Sequence, residues 1–329
     1  MLYLFRRTAS QGARDVVESL QENGVNARRL NDLGRAHFGQ GVRVGDFVVC
    51  WGEGGITVPQ GVQILNNVPV RTKYNDAVTL QDAGVPTITV SQNRPIVRAI
   101  QPVVDPFVAE SVRVRELVGG FADVDWVRGP VLRDSIVEVL RELNTINTIN
   151  NAPPPPSTMS VPTADWVGRR NNHVGGNDLL RPPTTPDYYV QKEAITQEYR
   201  VHSFKGKSIR AGQKVQRPGM TAHPWIRSFD GGWMISYDGF ESTGPMRELA
   251  ARAVSALGLD FGAVDIAQLL DNRLIVLEVN RAPGSEGGTS NAYASAINRW
   301  MNGEFNQERQ ARPRRQNGQP AAAQTRRAA

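Results

Sequence analysis

The chain has 329 residues, of which 40% are hydrophobic and 21% charged, with a formal net charge of +6; this length allows a sizeable core spread over roughly two or three domains. No apolar run approaches the roughly 20 residues that span a bilayer, and "MLYLFRR" reaches Arg6 and Arg7 before a signal-type apolar region forms, so a cytoplasmic protein is expected. Cys50 is the single cysteine, which excludes a disulfide framework; in the apolar run "DFVVCWG" it reads as a buried structural thiol rather than a nucleophile.

The first 70 residues alternate strand and helix signals in the manner of an α/β layer. "MLYLF" is strand-like, Ala13, Val16, Val17 and Leu20 mark one helical face, and Gly24 is placed to stop that helix. "DFVVCWG" and "VQILNN" read as two further strands of a small parallel sheet. A second unit opens near Arg71 with the helical pattern of "TKYNDAVTLQDAGV", followed by Pro86 and the strand-like "TITV". From about 93 to 165 the signals weaken into an insertion: "DSIVEVLREL" predicts a helix, and "NTINTINNAPPPPSTMSVPT" a flexible or polyproline II connection. "DWVGRRNNHVGGNDLL" then reads as a strand running into a glycine-containing loop.

Residues 187–215 read as two strands around the polar turn "KGK". In "GPMRELAARAVSALG", Pro245 suits a first helical position, Leu249, Ala253 and Leu257 share one face, and Gly258 ends the helix. "FGAVDIAQL" and "RLIVLEVN" are strand-like with Asp271-Asn272 as the turn between them, and "SNAYASAINRWM" predicts a closing helix. The tail from Glu304 carries six arginines and two glutamates, four of the six net positive charges, and no apolar periodicity. It is expected to be disordered, either a solvated tail or a weak contact for nucleic acid or an acidic partner.

A two-residue turn at Asp271-Asn272 sets Leu270 opposite Arg273 and therefore Asp265 opposite Glu278. Like charges facing each other in a sheet repel unless a proton or a cation intervenes. Asn280 lies one pleat further on the same face as Glu278. Three hard oxygen donors converging from adjacent strands suit Mg2+, which takes one or two carboxylates and completes its shell with water and phosphate. The competing reading pairs Glu278 with Arg281 or Arg200 and leaves Asn280 to shape the turn before Pro283.

The ordered series "TKYNDAVTLQDAGVP", "QEYRVHSFKGKSI", "LGLDFGAVDIA" and "VLEVNRAPG" resembles the ATP-grasp superfamily, most closely its RimK-like carboxylate–amine ligases and related proteins of tailed phages. The resemblance covers residues 71–90 and 165–300 and the first domain only loosely. It implies an α/β (α+β ATP-grasp) fold: an N-terminal domain over 1–70, a central lid subdomain over 71–187 holding the insertion, a C-terminal subdomain with the metal site over 188–303, and the tail over 304–329. It places Asp265, Glu278 and Asn280 as ligands of Mg2+, with Mn2+ as an alternative. It places Lys73 and Lys214 at the nucleotide phosphates, with Arg169 where many members have lysine and Gly175 and Gly176 in the phosphate loop. The hinge over 189–193, with Gln191, Lys192 and Glu193, would hold adenine, and Glu198 the ribose.

Arg200 would act at the acyl substrate or the γ-phosphate, a surface salt bridge being the competing reading. His202 and Ser285 would touch substrate, His202 competing with ordinary packing, and His173 would line the phosphate loop. Some members carry an arginine where this chain has Ala263; either Arg200 or Arg281 would take its part or acyl transfer is impaired, and RimK-like members commonly lack this arginine too. The implied activity is ATP-dependent amide formation between a small-molecule or peptide carboxylate and an amine through an acyl-phosphate, in the cytoplasm, or the host cytoplasm if phage-encoded. A nucleotide-binding interaction module and a kinase-like phosphotransferase remain as alternatives.

Overall fold

The computed structural model describes residues 1–30, 41–93, 96–100, 158–162, 166–172, 177–180, 183–224 and 226–305. The chain starts with β1 (Leu2–Phe5), every residue of it buried, and α1 (Gln11–Glu22), whose buried face includes Ala13, Val16, Val17 and Leu20. Ser10 caps α1 by accepting from the Ala13 amide at 3.3 Å, and Gly24 follows the helix at a φ of 76° that favours glycine. β2 (Ala27–Leu30), β3 (Phe47–Cys50) and β4 (Gln63–Leu65) complete an all-parallel sheet in the order β2-β1-β3-β4. β2 escapes the sequence reading because "ARRL" places two arginines where a strand signal wants apolar residues.

α2 (Lys73–Asp82) is capped by Thr72, whose Oγ1 accepts from the Asn75 amide. Of the expected strand "TITV", only Val90 enters β5 (Val90–Ser91), while Thr87 makes a parallel bridge to Val276. Within the insertion, β6 (Ile96–Ile100) pairs antiparallel with β7 (Thr158–Pro162). Residues 158–162, expected as flexible or polyproline II chain, are thus a strand; the helix expected over "DSIVEVLREL" lies outside the described residues.

β8 (Trp166–Arg169), the single turn of α3 (Asn177–Leu180) and β9 (Tyr188–Gln191) follow, and β5-β9-β8 form a three-stranded sheet. Residues 187–215 therefore hold three strands rather than two, because the chain leaves β9 at Lys192 and re-enters a different sheet as β10 (Ile195–Phe204). β10 turns into β11 (Lys207–Gln216) through Lys205 and Gly206, both at positive φ, the geometry that matches a two-residue turn to the strand twist.

β12 (Trp233–Ser236), α4 (Gly244–Ala256), β13 (Phe261–Leu269) and β14 (Leu274–Asn280) complete a five-stranded antiparallel sheet in the order β12-β11-β10-β13-β14. α4 has Thr243 as N-cap and Pro245 in its first turn, and packs Met246, Leu249, Ala250, Ala253 and Val254 on one face of that sheet. Each large apolar side chain so buried stabilises the fold by about 2 kcal/mol. The closing helix is α5 (Thr289–Met301).

The turn between β13 and β14 has three residues, not two: the Leu269 amide donates to the Arg273 carbonyl, and Asn272 takes the left-handed φ of 65°. That shifts the register, so Ile266 faces Val276. A bulge that leaves Leu277 over then shifts it back, and Asp265 faces Glu278 as expected. Two departures from the simple hairpin cancel at Asp265 and Glu278.

Leu2, Leu4, Trp51 and α1 share one core with Phe204, Phe261, Tyr293, Ile297 and Trp300, so the N-terminal layer packs directly on the five-stranded sheet and α5. Trp51 lies with its ring centroid 5.3 Å from that of Phe261 and 5.1 Å from that of Tyr293. Phe305 belongs to the same core and Glu304 pairs with Arg299 at 2.6 Å, so the packed body takes in the first two residues of the expected tail; residues 306–329 lie outside the described part. No described helix is long and apolar enough to cross a membrane.

Candidate active site

One face of the five-stranded sheet carries the charged side chains. Alternation along β10 puts Glu198, Arg200, His202 and Phe204 on the same side, while Tyr199 and Val201 pack toward α4. Their partners on β13 are Ala267, Asp265, Ala263 and Phe261. On β14, Glu278 faces Asp265 and Asn280 faces Ala263. The opposed carboxylates are each matched by a cation. Arg200 grips Asp265 with two hydrogen bonds, Nε to Oδ1 at 2.6 Å and Nη2 to Oδ2 at 2.8 Å. Lys73, at the first residue of α2, donates to Glu278 Oε2 at 2.7 Å.

The Asn280 amide nitrogen lies 3.1 Å from Glu278 Oε1 and 3.4 Å from Asp265 Oδ2. Two carboxylates and an amide that point at one another form a donor set for a hard divalent ion, and turning the Asn280 amide over presents its oxygen to the same point. Among the described residues no three His, Cys, Asp or Glu side chains gather in this way; the third donor here is an amide. Arg200 is held charged, its pKa raised further by the Asp265 carboxylate against the opposing effect of burial.

Further along the face, Glu198 is 6% exposed and receives Lys214 at 2.5 Å, with Arg227 Nε at 3.9 Å. Arg227 was not found from the sequence. It donates to the carbonyls of Ile195 and Thr196 and stacks 5.0 Å from the Trp233 ring, tying the segment before β12 to the start of β10. The Gln191 amide donates to Thr89 and the Ile195 amide to Glu193, which fixes the 191–195 crossing between sheets; partial burial raises the Glu193 pKa.

Arg169 Nε is held by Asp178 Oδ2 at 2.8 Å, and the Arg170 amide bonds the same oxygen. This ties the end of β8 to α3, across the glycine loop. Gly175, Gly176 and His173 lie outside the described residues. Arg281, expected near Glu278 or the reacting groups, turns instead to α2, with Nη2 2.6 Å from Asp76 Oδ1 and Nη1 2.9 Å from the Pro69 carbonyl.

His202 is 1% exposed, and both its ring nitrogens are engaged within the protein, Nδ1 with the Tyr293 hydroxyl at 3.2 Å and Nε2 with that of Tyr237 at 3.0 Å. Ser285 precedes the short turn Glu286–Gly288 that leads into α5. Cys50 is buried, which pushes its thiol up to about 12, as an inert structural thiol requires. A cavity of about 1180 Å³ between α4 and the β10–β11 turn shares no residue with this face.

No protein-family model matches the chain, and no curated protein matches it. Solved structures do. The ATP-grasp ligase PsnB complexed with a minimal precursor superposes with a TM-score of 0.50 over 90% of this chain and 98% of its own, at 13% identity. The D-alanine–D-alanine ligase of Bacillus anthracis gives 0.50 over 93% of this chain and 99% of its own, at 10% identity. At such identities the likeness concerns architecture: the mixed parallel and antiparallel sheets of this chain have the fold of the ATP-grasp ligases.

Proposed function

We propose that the protein is an ATP-dependent carboxylate–amine ligase of RimK-like type, related to phage-encoded members, that works in the cytoplasm and forms an amide through an acyl-phosphate. The observation that carries this reading is the single sheet face on which Asp265, Glu278 and Asn280 converge while Arg200, Lys73 and Lys214 reach the same row of carboxylates.

In this reading ATP lies along the face, with its base at residues 191–193 and its ribose at Glu198. Gly175 and Gly176 belong to the loop over its phosphates. The domain division is residues 1–70, 71–187, 188–303 and a tail, although β9 completes the sheet of β5 and β8 and Phe305 still packs in the body. Asp265, Glu278 and Asn280 would hold Mg2+, which when bound neutralises charge on the phosphate oxygens. Lys73, Lys214 and Arg169 orient the phosphates, and Arg200 steadies the charge that develops on the transferred group.

A substrate carboxylate oxygen bonds to the γ-phosphorus as the bond to ADP breaks. The amine nitrogen then bonds to the acyl carbon, phosphate leaves, and the amine proton passes to phosphate or water. Arg281 supports the site by fixing α2 against the end of β14, and Ser285 with its neighbouring amides faces the acyl group. Small-molecule and peptide carboxylates are both substrate classes in this reading.

Incubation with ATP, Mg2+ and a panel of amino acids, following ADP and product mass, tests the proposal. An amide product is expected. A phosphorylated end product would replace ligase by kinase, and nucleotide binding without any turnover would leave only a binding module.

A further inference from the structure

The hydrogen bonds around His202 form a chain with one consistent direction. Thr289 is fully buried, and its Oγ1 lies 2.7 Å from the Glu286 carbonyl, an acceptor only, so the Thr289 hydroxyl must donate there. Tyr293 is fully buried, and among the described residues the hydrogen-bond partner of its hydroxyl is His202 Nδ1 at 3.2 Å, so the Tyr293 hydroxyl donates to Nδ1. With Nδ1 an acceptor, the neutral ring carries its proton on Nε2, which donates to the Tyr237 hydroxyl at 3.0 Å. The reverse direction would leave the Tyr293 proton without an acceptor among the described residues. Burial, and then the charges of Arg200 and Arg210, hold the His202 pKa down to about 3, in keeping with a neutral ring.

The chain ends at Tyr237, beneath the loop after Asn280. Gly287 and Gly288 both take positive φ, and a Cβ on Gly287 would lie 2.6 Å from the Tyr237 ring, so this loop lies flat on Tyr237. Arg210, opposite His202 on β11, stacks 4.5 Å above the same ring and donates to the Gly287 carbonyl. The charged neighbours of His202 on the face are Arg200 and, on the next strand, Arg210.

We infer that His202 is a positioning residue: as the Nε2–H tautomer it passes the fixed geometry of the core from Tyr293 to Tyr237, on whose ring the 284–288 loop lies. The loop's service to the acyl or amine substrate rests on the ligase reading above. The hydrogen-bond direction and the ordering of the loop do not.

The test uses the full chain with Tyr237→Phe, which keeps the ring under Arg210 and removes only the hydroxyl, and His202→Gln, which can still donate and accept. Imidazole 15N spectra of the wild type should show a protonated Nε2 and a bare Nδ1. Amide exchange over 284–289 should quicken about tenfold in Tyr237→Phe, the loss of one buried hydrogen bond, while residues 198–204 stay as they are. In ADP release with the amino-acid panel, that variant should raise the KM of the stimulating substrate about tenfold and leave the KM of ATP within about twofold, with His202→Gln falling between it and the wild type. An Nδ1–H tautomer, or unchanged loop exchange in Tyr237→Phe, overturns the inference. Absence of ADP release in the wild type would instead remove the ligase reading, with the spectra and exchange still deciding the positioning role.

Discussion

Lys73, at the start of α2, meets Glu278, near the end of β14, at 2.7 Å although 205 residues separate them. The facing Asp265 is held by Arg200. Two opposed carboxylates thus reach the folded state with one cation each, which removes the repulsion their register would impose.

Replacing Glu278 with Gln should abolish Mg2+-dependent ADP release and leave the fold intact. Both partners of the Lys73–Glu278 pair are about 30% exposed, so its loss should change unfolding free energy by no more than about 1 kcal/mol. Turnover and a urea melt measure the two effects. Turnover near the wild-type rate would remove Glu278 from the metal-ligand assignment.

Arg200→Lys retains the charge but not the two-pronged grip on Asp265. ADP release should fall at least tenfold, about 1.4 kcal/mol of transition-state stabilisation, with ATP affinity nearly unchanged. Arg200→Ala should be worse on both counts, because it leaves the largely buried Asp265 carboxylate uncompensated, at a cost of about 3 kcal/mol in stability. If lysine serves as well as arginine, Arg200 acts only as a diffuse charge.

Stability should depend on pH through His202. Its pKa is about 3 in the folded protein against 6.5 ordinarily, so the unfolded chain takes up a proton near pH 6.5 that the folded chain refuses. The contribution is complete above pH 6.5 and is lost as pH falls toward 3, on the order of 1 kcal/mol per pH unit. Asp76 works in the opposite sense: burial outweighs Arg281 and raises its pKa, so its share of stability grows as pH falls through the raised folded value and is complete below the unfolded one. Urea midpoints between pH 7.5 and 4.5 should decline in the wild type and flatten in His202→Gln. Parallel curves for the two proteins would contradict the assignment.

Removing residues 306–329 should spare nucleotide binding and, because that segment holds six arginines, weaken any association with nucleic acid. Removing Phe305 as well should destabilise the body by about 3 kcal/mol, since its ring packs 5.3 Å from Phe204 in the shared core. Filter binding at two salt concentrations and thermal melts separate these effects. An ATP affinity lost with 306–329 alone would show that the tail contributes to the site.

Long periodic elements were legible from the sequence because their patterns are local. The buried faces of α1 and α4 and the strands β1, β3 and β13 all follow from spacing. Pairing decided by turn geometry was less legible: the Asp265–Glu278 register came out correctly although the three-residue turn and the bulge at Leu277 were both unforeseen. Partners set by long-range packing could not be read at all. Nothing local announces that Lys73 meets Glu278, that Arg281 turns to Asp76, or that Arg227 reaches Glu198. For Arg227 the one available signal was its place between the tryptophans of a loop otherwise rich in glycine and proline.

The core shared by Trp51, Phe261 and Tyr293 bears on how this chain can be dissected. Gly12 in α1 comes so close to the Pro283 carbonyl that a Cβ there would stand 2.8 Å away, and Gly52 meets Ala282 in the same manner. Expressing residues 71–305 without the first layer would bare Phe204, Phe261 and the Trp51 side of Tyr293 as one aromatic surface beside the loop after Asn280. Such a fragment should aggregate rather than persist as a smaller soluble protein.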